Sequence, residues 1–247
     1  MNISTLIKIE YTKLFRRSNI LFLFLFLYLM LTPVGRVSDQ FFDATSVNSL
    51  DFLKVTLQSI SIFGMLLMAI FLVNNTGNDF NEGSYRKNLA VGLTKRDYFI
   101  GKLLLIFFFS VFVIVFTIFS YLSFGTFAYK LSLYSLFEEI LSINLLNQFL
   151  ALFNAGLFGL FFITVFRNRI IGLVFFPFWL FTEFVLLIVN ELKTLKLPVG
   201  FFPGRACFNL YNSHVFDLEA LVIVIVISII FITSAWLGLF LREEKSQ

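Results

Sequence analysis

The chain has 247 residues, of which 59% are hydrophobic, 19% aromatic and only 14% charged. Soluble domains carry about 25% charged residues, and a core of this size has no room for so many apolar side chains. The composition therefore excludes a soluble globular protein and predicts an all-α, polytopic membrane protein.

The N-terminal segment 4–17 alternates apolar and polar residues at helical spacing. Leu6 and Leu14 fall on one side of the predicted helix, and Lys13 and Arg16 fall on the other. This pattern predicts a short amphipathic helix that lies along the membrane surface with its basic face in water. Simple anchoring and the transmission of motion are both open as its role, and they are compatible.

Six apolar runs are long enough to cross about 30 Å of hydrocarbon. The first run ends near Pro33, and the residues that follow it do not form a small-x-small cleavage site, so we expect a retained anchor and not a signal peptide. The six predicted spans are 19–35, 55–75, 98–124, 143–166, 170–190 and 218–241.

The basic residues set the expected orientation of these spans. If the N-terminus is inside, 13 of the 19 Lys and Arg residues lie in cytoplasmic segments and 6 lie outside. This asymmetry follows the positive-inside rule and places both termini in the cytoplasm, with the chain in a bacterial cytoplasmic membrane. It also explains the net charge of +4 without a nucleic-acid partner, because the basic residues do not form one patch.

A polar, net basic segment at 76–97 separates the second and third predicted spans. Gly77 and Gly83 are expected to break the chain, and Ser84 is expected to cap a short helix up to Leu89. Helix connections usually take about 2–8 residues, so a longer insert is unexpected for a plain loop. A docking helix for a soluble partner is the favoured interpretation, and a solvated loop is the alternative.

This segment, EGSYRKNLAVGLTKRDYFIGK at 82–102, and the leader IKIEYTKL at 7–14 resemble those of ABC-2-type transporter permeases. The resemblance implies six spans, an interfacial elbow helix at the start and a coupling helix after the second span. It also implies a second permease copy, identical or related, and a cytoplasmic P-loop ATPase subunit that holds ATP and Mg²⁺. The residues that the resemblance places against that subunit are Glu82, Arg86, Lys87, Leu89, Arg96 and Lys102.

The fourth predicted span is the most polar. Asn144, Asn147 and Asn154 share one helical face, with Gln148 beside them. They are candidates either for hydrogen bonds between helices or for lining a substrate path. Glu183 in the fifth span is costly in a membrane, so it is expected to meet a neighbouring helix, a partner chain or a substrate.

The loop at 191–217 contains many apolar residues for a segment outside the membrane. Pro198, Gly200, Pro203 and Gly204 are expected to divide it into short pieces that enter the outer leaflet. Permeases of the ABC-2 type often carry short outer or re-entrant helices here. A substrate-exit lid and simple packing over the bundle are both open.

Several kinds of active site are missing from the sequence. There is no Gly-x-x-x-x-Gly-Lys-Ser/Thr segment for a P-loop and no Gly-x-Ser-x-Gly segment for a serine nucleophile. Cys207 and His214 are single residues of their type, which excludes an intramolecular disulfide and most metal or triad chemistry. We therefore expect a transport subunit without enzymatic activity or a bound cofactor of its own. A secondary transporter or channel without an ATPase is the alternative.

Overall fold

The computed structural model describes Thr12 and residues 49–127, 145–191, 202–212 and 218–240. Apart from Thr12, the predicted elbow helix at 4–17, the first predicted span and Asn144 lie outside these residues. All regular structure in the described segments is helical, which confirms the all-α prediction. The seven helices are α1 (Ser49–Asn81), α2 (Ser84–Ala90), α3 (Lys95–Phe127), α4 (Leu145–Phe166), α5 (Arg169–Glu191), α6 (Pro203–Asn212) and α7 (Leu218–Phe240).

Three stretches in the described residues are long and apolar enough to cross a membrane: Lys95–Phe119 in α3, Leu145–Phe166 in α4 and Leu218–Phe240 in α7. The outward faces of α3, α5 and α7 are apolar as well, with exposed side chains such as Phe119, Phe178 and Ile229. In water, apolar faces of this extent would lead to association. The chain is thus a membrane protein whose outer surface suits lipid.

Helix α4 lies at the centre of the bundle and contacts α1, α3, α5, α6 and α7. Most of its residues are buried, including the polar side chains of Asn147, Gln148 and Asn154. Lipid offers no hydrogen bonds to these polar side chains, so α4 is stable in the middle, where other helices surround it.

Helices α1 and α4 approach each other closely at Gly159 of α4. A Cβ atom added there would lie 2.6 Å from the carbonyl oxygen of Ala69 and 3.0 Å from its Cα in α1. Only a residue without a side chain permits this backbone contact, which is how small residues act between membrane helices. The sequence predicted that small residues in this span would allow a close neighbour, and Gly159 confirms it.

Gly159→Ala is expected to destabilise the protein by about 1–3 kcal/mol, because the new methyl group meets backbone atoms that cannot rotate away. Gly238→Ala in α7 is the matched control, since its Cβ would meet Thr164 no closer than 3.4 Å, an ordinary contact. Reversible unfolding in mixed detergent micelles measures both variants. Equal stability of the two would contradict the close packing of α1 on α4.

The predicted end of the second span and the predicted chain break at Gly77 are both wrong. The helix does not stop at residue 75 but continues through Gly77 to Asn81. Gly77 does not break the chain; its Cα instead faces α5, where an added Cβ would lie 2.7 Å from Cβ of Arg169. Gly77 is therefore needed because α1 packs closely against α5. The spacing of glycines in the sequence does not distinguish this use from a turn.

The caps of α2 and α3 also differ from expectation. Ser84 does not cap α2: the N-cap is Gly83, with a left-handed φ of 67°, and Ser84 Oγ donates to Asp79 Oδ1 (3.5 Å). Helix α3 begins at Lys95 after a true cap, because Thr94 Oγ1 accepts the amide N–H of Asp97 (3.0 Å). This arrangement is a capping box, completed by the Thr94 N–H donating to Asp97 Oδ2 (3.4 Å).

Pro203 and Gly204 lie at a boundary within the loop at 191–217. They begin the short helix α6, which packs on α4 and α7. Proline is favourable in the first turn of a helix, because an N–H group at that position would make no hydrogen bond within the helix. A short helix in this loop was anticipated, and α6 confirms that it exists.

Candidate functional site

The helix α2 presents an exposed, mostly basic surface at one end of the bundle. Glu82, Arg86, Lys87 and Arg96 are all exposed there, and Val91 beside them is 90% exposed. We call these five residues the α2 surface. A single exposed apolar side chain is ordinary on a protein surface, so the feature that distinguishes this surface is its basic charge. Leu89, predicted to be part of this surface, is instead half-buried against the bundle.

The helix α2 is fixed to the bundle by one aromatic side chain. Tyr85 is 2% exposed, and its ring lies 5.1 Å from the ring of Phe80 in α1 and 4.8 Å from that of Tyr98 in α3. Seven residues are too few for a stable isolated helix. The position of α2 therefore depends on this aromatic cluster, which joins it to both long helices.

A buried ion pair lies beneath the aromatic cluster. Lys102 Nζ is 2.8 Å from Asp79 Oδ2, and the two side chains are 0% and 2% exposed. Tyr98 Oη donates to the same carboxylate oxygen (3.1 Å), and Lys102 Nζ donates to Asn75 Oδ1 (3.5 Å). These contacts link α1, which precedes α2 in the chain, to α3, which follows it.

The position of Lys102 corrects one predicted docking residue. Its ammonium group lies inside the bundle, so it does not belong to the α2 surface that a soluble subunit could touch directly. Its partner is Asp79 of α1. The sequence did hold a signal for this pair, because Lys102 lies inside the predicted third span, where a charge needs a buried partner.

The connection between α4 and α5 contacts α7 and α1 at the end of the bundle where α2 lies. Arg167 has a left-handed φ of 50°, and its Nη2 donates to the carbonyl oxygens of Gly238 (3.1 Å) and Leu239 (3.3 Å) in the last turn of α7. Arg169 Nη1 donates to Asn78 Oδ1 in α1 (2.9 Å). A cation at a helix C-terminus is favourable. In the sequence these two arginines signalled only membrane orientation.

At the other end of the bundle, Glu183 of α5 caps α6. Its Oε2 accepts the backbone N–H of Gly204 (2.9 Å) and of Arg205 (3.2 Å), and its Oε1 accepts the indole N–H of Trp179. The side chain is 5% exposed. A carboxylate at a helix N-terminus satisfies free N–H groups and suits the helix dipole. The expected partner of Glu183 on a neighbouring helix is thus α6 of the same chain.

Beside Glu183, helices α1, α4, α5 and α6 line a half-open cavity of about 430 Å³. We call it the α6 cavity. Asn154 lines it together with Glu183, and most of the remaining wall is apolar, including Met65, Phe158 and Phe176. Pockets for small molecules typically have volumes of about 300–1,000 Å³ and an apolar wall with few polar groups.

The predicted polar residues of α4 separate into two groups. Asn154 reaches the α6 cavity and also donates from Nδ2 to the Val224 carbonyl oxygen of α7 (3.1 Å), so it serves as a link between helices. Asn147 and Gln148 are buried in α4 and are not among the residues that line the cavity. The structure therefore brings together Asn154 and Glu183 of the predicted set.

The free thiol of Cys207 is buried against the same cavity. Burial raises its pKa to about 12, and the negative charge of Glu183 adds to this shift. A thiol that is almost never ionised is a poor nucleophile and a poor metal ligand. In the described segments, no group of three or more His, Cys, Asp or Glu side chains is placed to hold a metal ion.

The α2 surface and the α6 cavity are joined by continuous helices. Arg167, which directly follows α4, is 13 residues from Asn154, and this separation corresponds to about 20 Å along a helix. Helix α1 covers a similar distance between the ion pair and the cavity wall, and helix α5 does so between Arg169 and the cavity wall.

Comparison of the chain with protein-family models, with curated proteins and with solved structures found no match.

Proposed function

We propose that this chain is the permease subunit of an ATP-binding-cassette exporter. In this proposal it has six spans, both termini are cytoplasmic, and it works as a pair with an identical or related permease in a bacterial cytoplasmic membrane. A separate P-loop ATPase subunit binds ATP and Mg²⁺ and docks on the α2 surface. The substrate is amphipathic or hydrophobic and moves outward.

The observation that carries the proposal is the way α2 is held. Its outer side is exposed and basic, whereas Tyr85 fixes its inner side between α1 and α3. A partner that pushes on α2 would move both long helices together, because the aromatic cluster and the Asp79–Lys102 pair leave little freedom between them. A loop that only followed the positive-inside rule would need no such attachment.

The charge of the surface defines the partner. Arg86, Lys87 and Arg96 are exposed and outnumber Glu82, so the docking face of the ATPase should be acidic with an apolar depression for Val91. Charges at the rim of an interface mainly set the rate of association and its salt dependence. The complex is therefore expected to weaken as the salt concentration rises.

The Arg86→Glu/Lys87→Glu variant is expected to lose at least about tenfold in affinity for the ATPase subunit, since two attractive contacts become repulsive. The measurement is capture of the chain in mild detergent, with mass spectrometry of the proteins that remain bound. A P-loop ATPase present with the wild-type chain and depleted with the variant supports the proposal.

Two controls make this experiment decisive. Glu219→Lys changes a charge at the start of α7, at the opposite end of the bundle, and should leave capture unchanged. Both variants should unfold at the wild-type midpoint, because the altered side chains are exposed. Absence of any P-loop ATPase from the wild-type sample would overturn the exporter proposal.

A secondary transporter is the second candidate, and the buried Asp79–Lys102 pair is the observation in its favour. Ionisable residues inside membrane helices often form coupling-ion or proton sites. Uptake or efflux by the purified chain in vesicles, driven by an ion gradient without ATP or ATPase, would favour this candidate.

A further inference from the structure

We infer that the seam between α3 and α7, at the end of the bundle where α2 lies, binds the head group of an anionic phospholipid. The inference rests on an ammonium group, an indole N–H group and the apolar helix faces beside them. It is independent of the exporter proposal, because lipid binding can be measured without an ATPase.

The seam is built around aromatic rings. The ring of Trp236 in α7 lies 5.2 Å from that of Phe99 in α3 and 4.0 Å from that of Phe240, the last residue of α7. Lys95, the first residue of α3, places its Nζ 5.9 Å from the centre of the Phe240 ring. We call these four residues the α3–α7 seam. Lys95 and Phe240 are end residues of two stretches that can cross a membrane, so the seam lies at the level of the lipid head groups.

Two donors of the α3–α7 seam have no partner in the part of the chain that the structure describes. Lys95 Nζ makes no hydrogen bond or ion pair there, and its contact is with the face of Phe240. The indole N–H of Trp236 donates to none of the described residues either. Both nitrogen atoms are open to the surface. A ligand that carries hydrogen-bond acceptors can therefore reach both donors.

The charges near the seam favour an anionic ligand. Arg96, next to Lys95, is exposed, and Arg167 donates to the last carbonyl oxygens of α7. The carboxylate of Asp97 accepts the N–H of Thr94 in the cap of α3. Cations thus outnumber carboxylates among these side chains, and a cationic group such as choline is disfavoured. Phosphate oxygens suit both donors, because an ammonium group and an indole N–H each donate to them.

The helix faces that continue from the seam identify the ligand as a lipid. Ile229 and Ile225 lie seven and eleven residues before Trp236, on the same face of α7, and they are 55% and 42% exposed. On α3, Phe107 is 44% exposed. Acyl chains can lie along these apolar side chains while the phosphate group stays at Lys95. A soluble phosphate compound would use the donors but gain nothing from the apolar faces.

Native mass spectrometry of the full chain in mild detergent measures this binding. Phosphatidylglycerol and phosphatidylcholine with the same acyl chains are the two probes, and glycerol phosphate is the soluble competitor. The wild-type chain is expected to bind phosphatidylglycerol roughly fivefold more tightly than phosphatidylcholine, the value of one basic residue near an anionic lipid surface. Glycerol phosphate at the same concentration should displace neither lipid.

Lys95→Gln is expected to remove the preference for phosphatidylglycerol. Lys87→Gln is the matched control, because it removes the same charge from α2 at the same end of the bundle, and it should keep the preference. Trp236→Phe keeps an aromatic ring in the seam but lacks the N–H group, so it should weaken the binding of both lipids by a similar factor, roughly fivefold. If Trp236→Phe does not fold, Lys95→Gln and its control still decide.

Three results would overturn the inference. The first is equal affinity of the wild-type chain for the two lipids. The second is an equal loss of preference in Lys95→Gln and Lys87→Gln, which would assign the preference to the basic end of the bundle as a whole. The third is a preference that disappears when the wild-type chain is dimeric, which would show that a second copy covers the α3–α7 seam.

Discussion

Asp79→Leu is expected to destabilise the protein by about 3–5 kcal/mol, because it removes the carboxylate that faces the buried ammonium group of Lys102. Lys102→Met should destabilise the protein by a similar amount, because it removes the ammonium group that faces the buried carboxylate of Asp79. Both side chains are almost completely buried, so water cannot replace the lost partner. The measurement is reversible unfolding in mixed detergent micelles, followed by circular dichroism.

The double variant Asp79→Leu/Lys102→Met tests the physical cause. Replacing both charges by apolar groups removes the desolvation cost together with the attraction, so most of the lost stability should return. Glu82→Leu is the control for loss of an acidic residue nearby, and its exposure predicts little change in the unfolding midpoint. Additive losses in the double variant would show that the pair is not the source of the effect.

Glu183→Ala is expected to release α6 from the bundle, at a cost of about 2–4 kcal/mol for the hydrogen bonds to a charged acceptor. The first effect should be local, because α6 has only ten residues and depends on its cap. Hydrogen exchange of the amides at 204–210 should accelerate more than exchange in the centre of α4. Glu183→Gln keeps one acceptor oxygen and should show a smaller change.

Labelling of the single cysteine gives a second view of the same event. Cys207 is buried in α6, and its raised pKa keeps the thiol unreactive in the folded protein. Release of α6 exposes the thiol and lets its pKa return toward the ordinary value, so maleimide labelling should become faster in Glu183→Ala. A variant with wild-type labelling and exchange would contradict the capping role of Glu183.

The sequence predicted much of the fold at the level of helices. Hydropathy located both ends of four of the five long described helices to within about three residues, since long apolar runs are a strong signal. It failed at 76–81, where the chain continues as helix through Gly77, whereas the break predicted at Gly83 is present. Glycine serves turns and close helix contacts equally well, and the difference depends on Arg169, almost a hundred residues away in the sequence.

The candidate sites were predictable only where a residue's own chemistry limited its surroundings. Glu183 and Lys102 are charges within apolar runs, so a partner was required, but its identity depended on how α6 and α1 pack. Arg167 gave no such signal, because an arginine at the end of a span usually needs only water and lipid head groups. Its bonds to the last carbonyls of α7 arise from tertiary structure alone.

The contact of Gly159 with Ala69 has a mechanical consequence for α1. Ala69 lies twelve residues from Asn81 and four residues from Met65, or about 18 Å and 6 Å along the helix axis. If α1 tilts as a rigid rod about this contact, the two arms of the lever have unequal lengths. A displacement of about 3 Å at the α2 end would swing Met65 by about 1 Å in the opposite direction. Such a tilt would couple a displacement of α2 to the width of the α6 cavity.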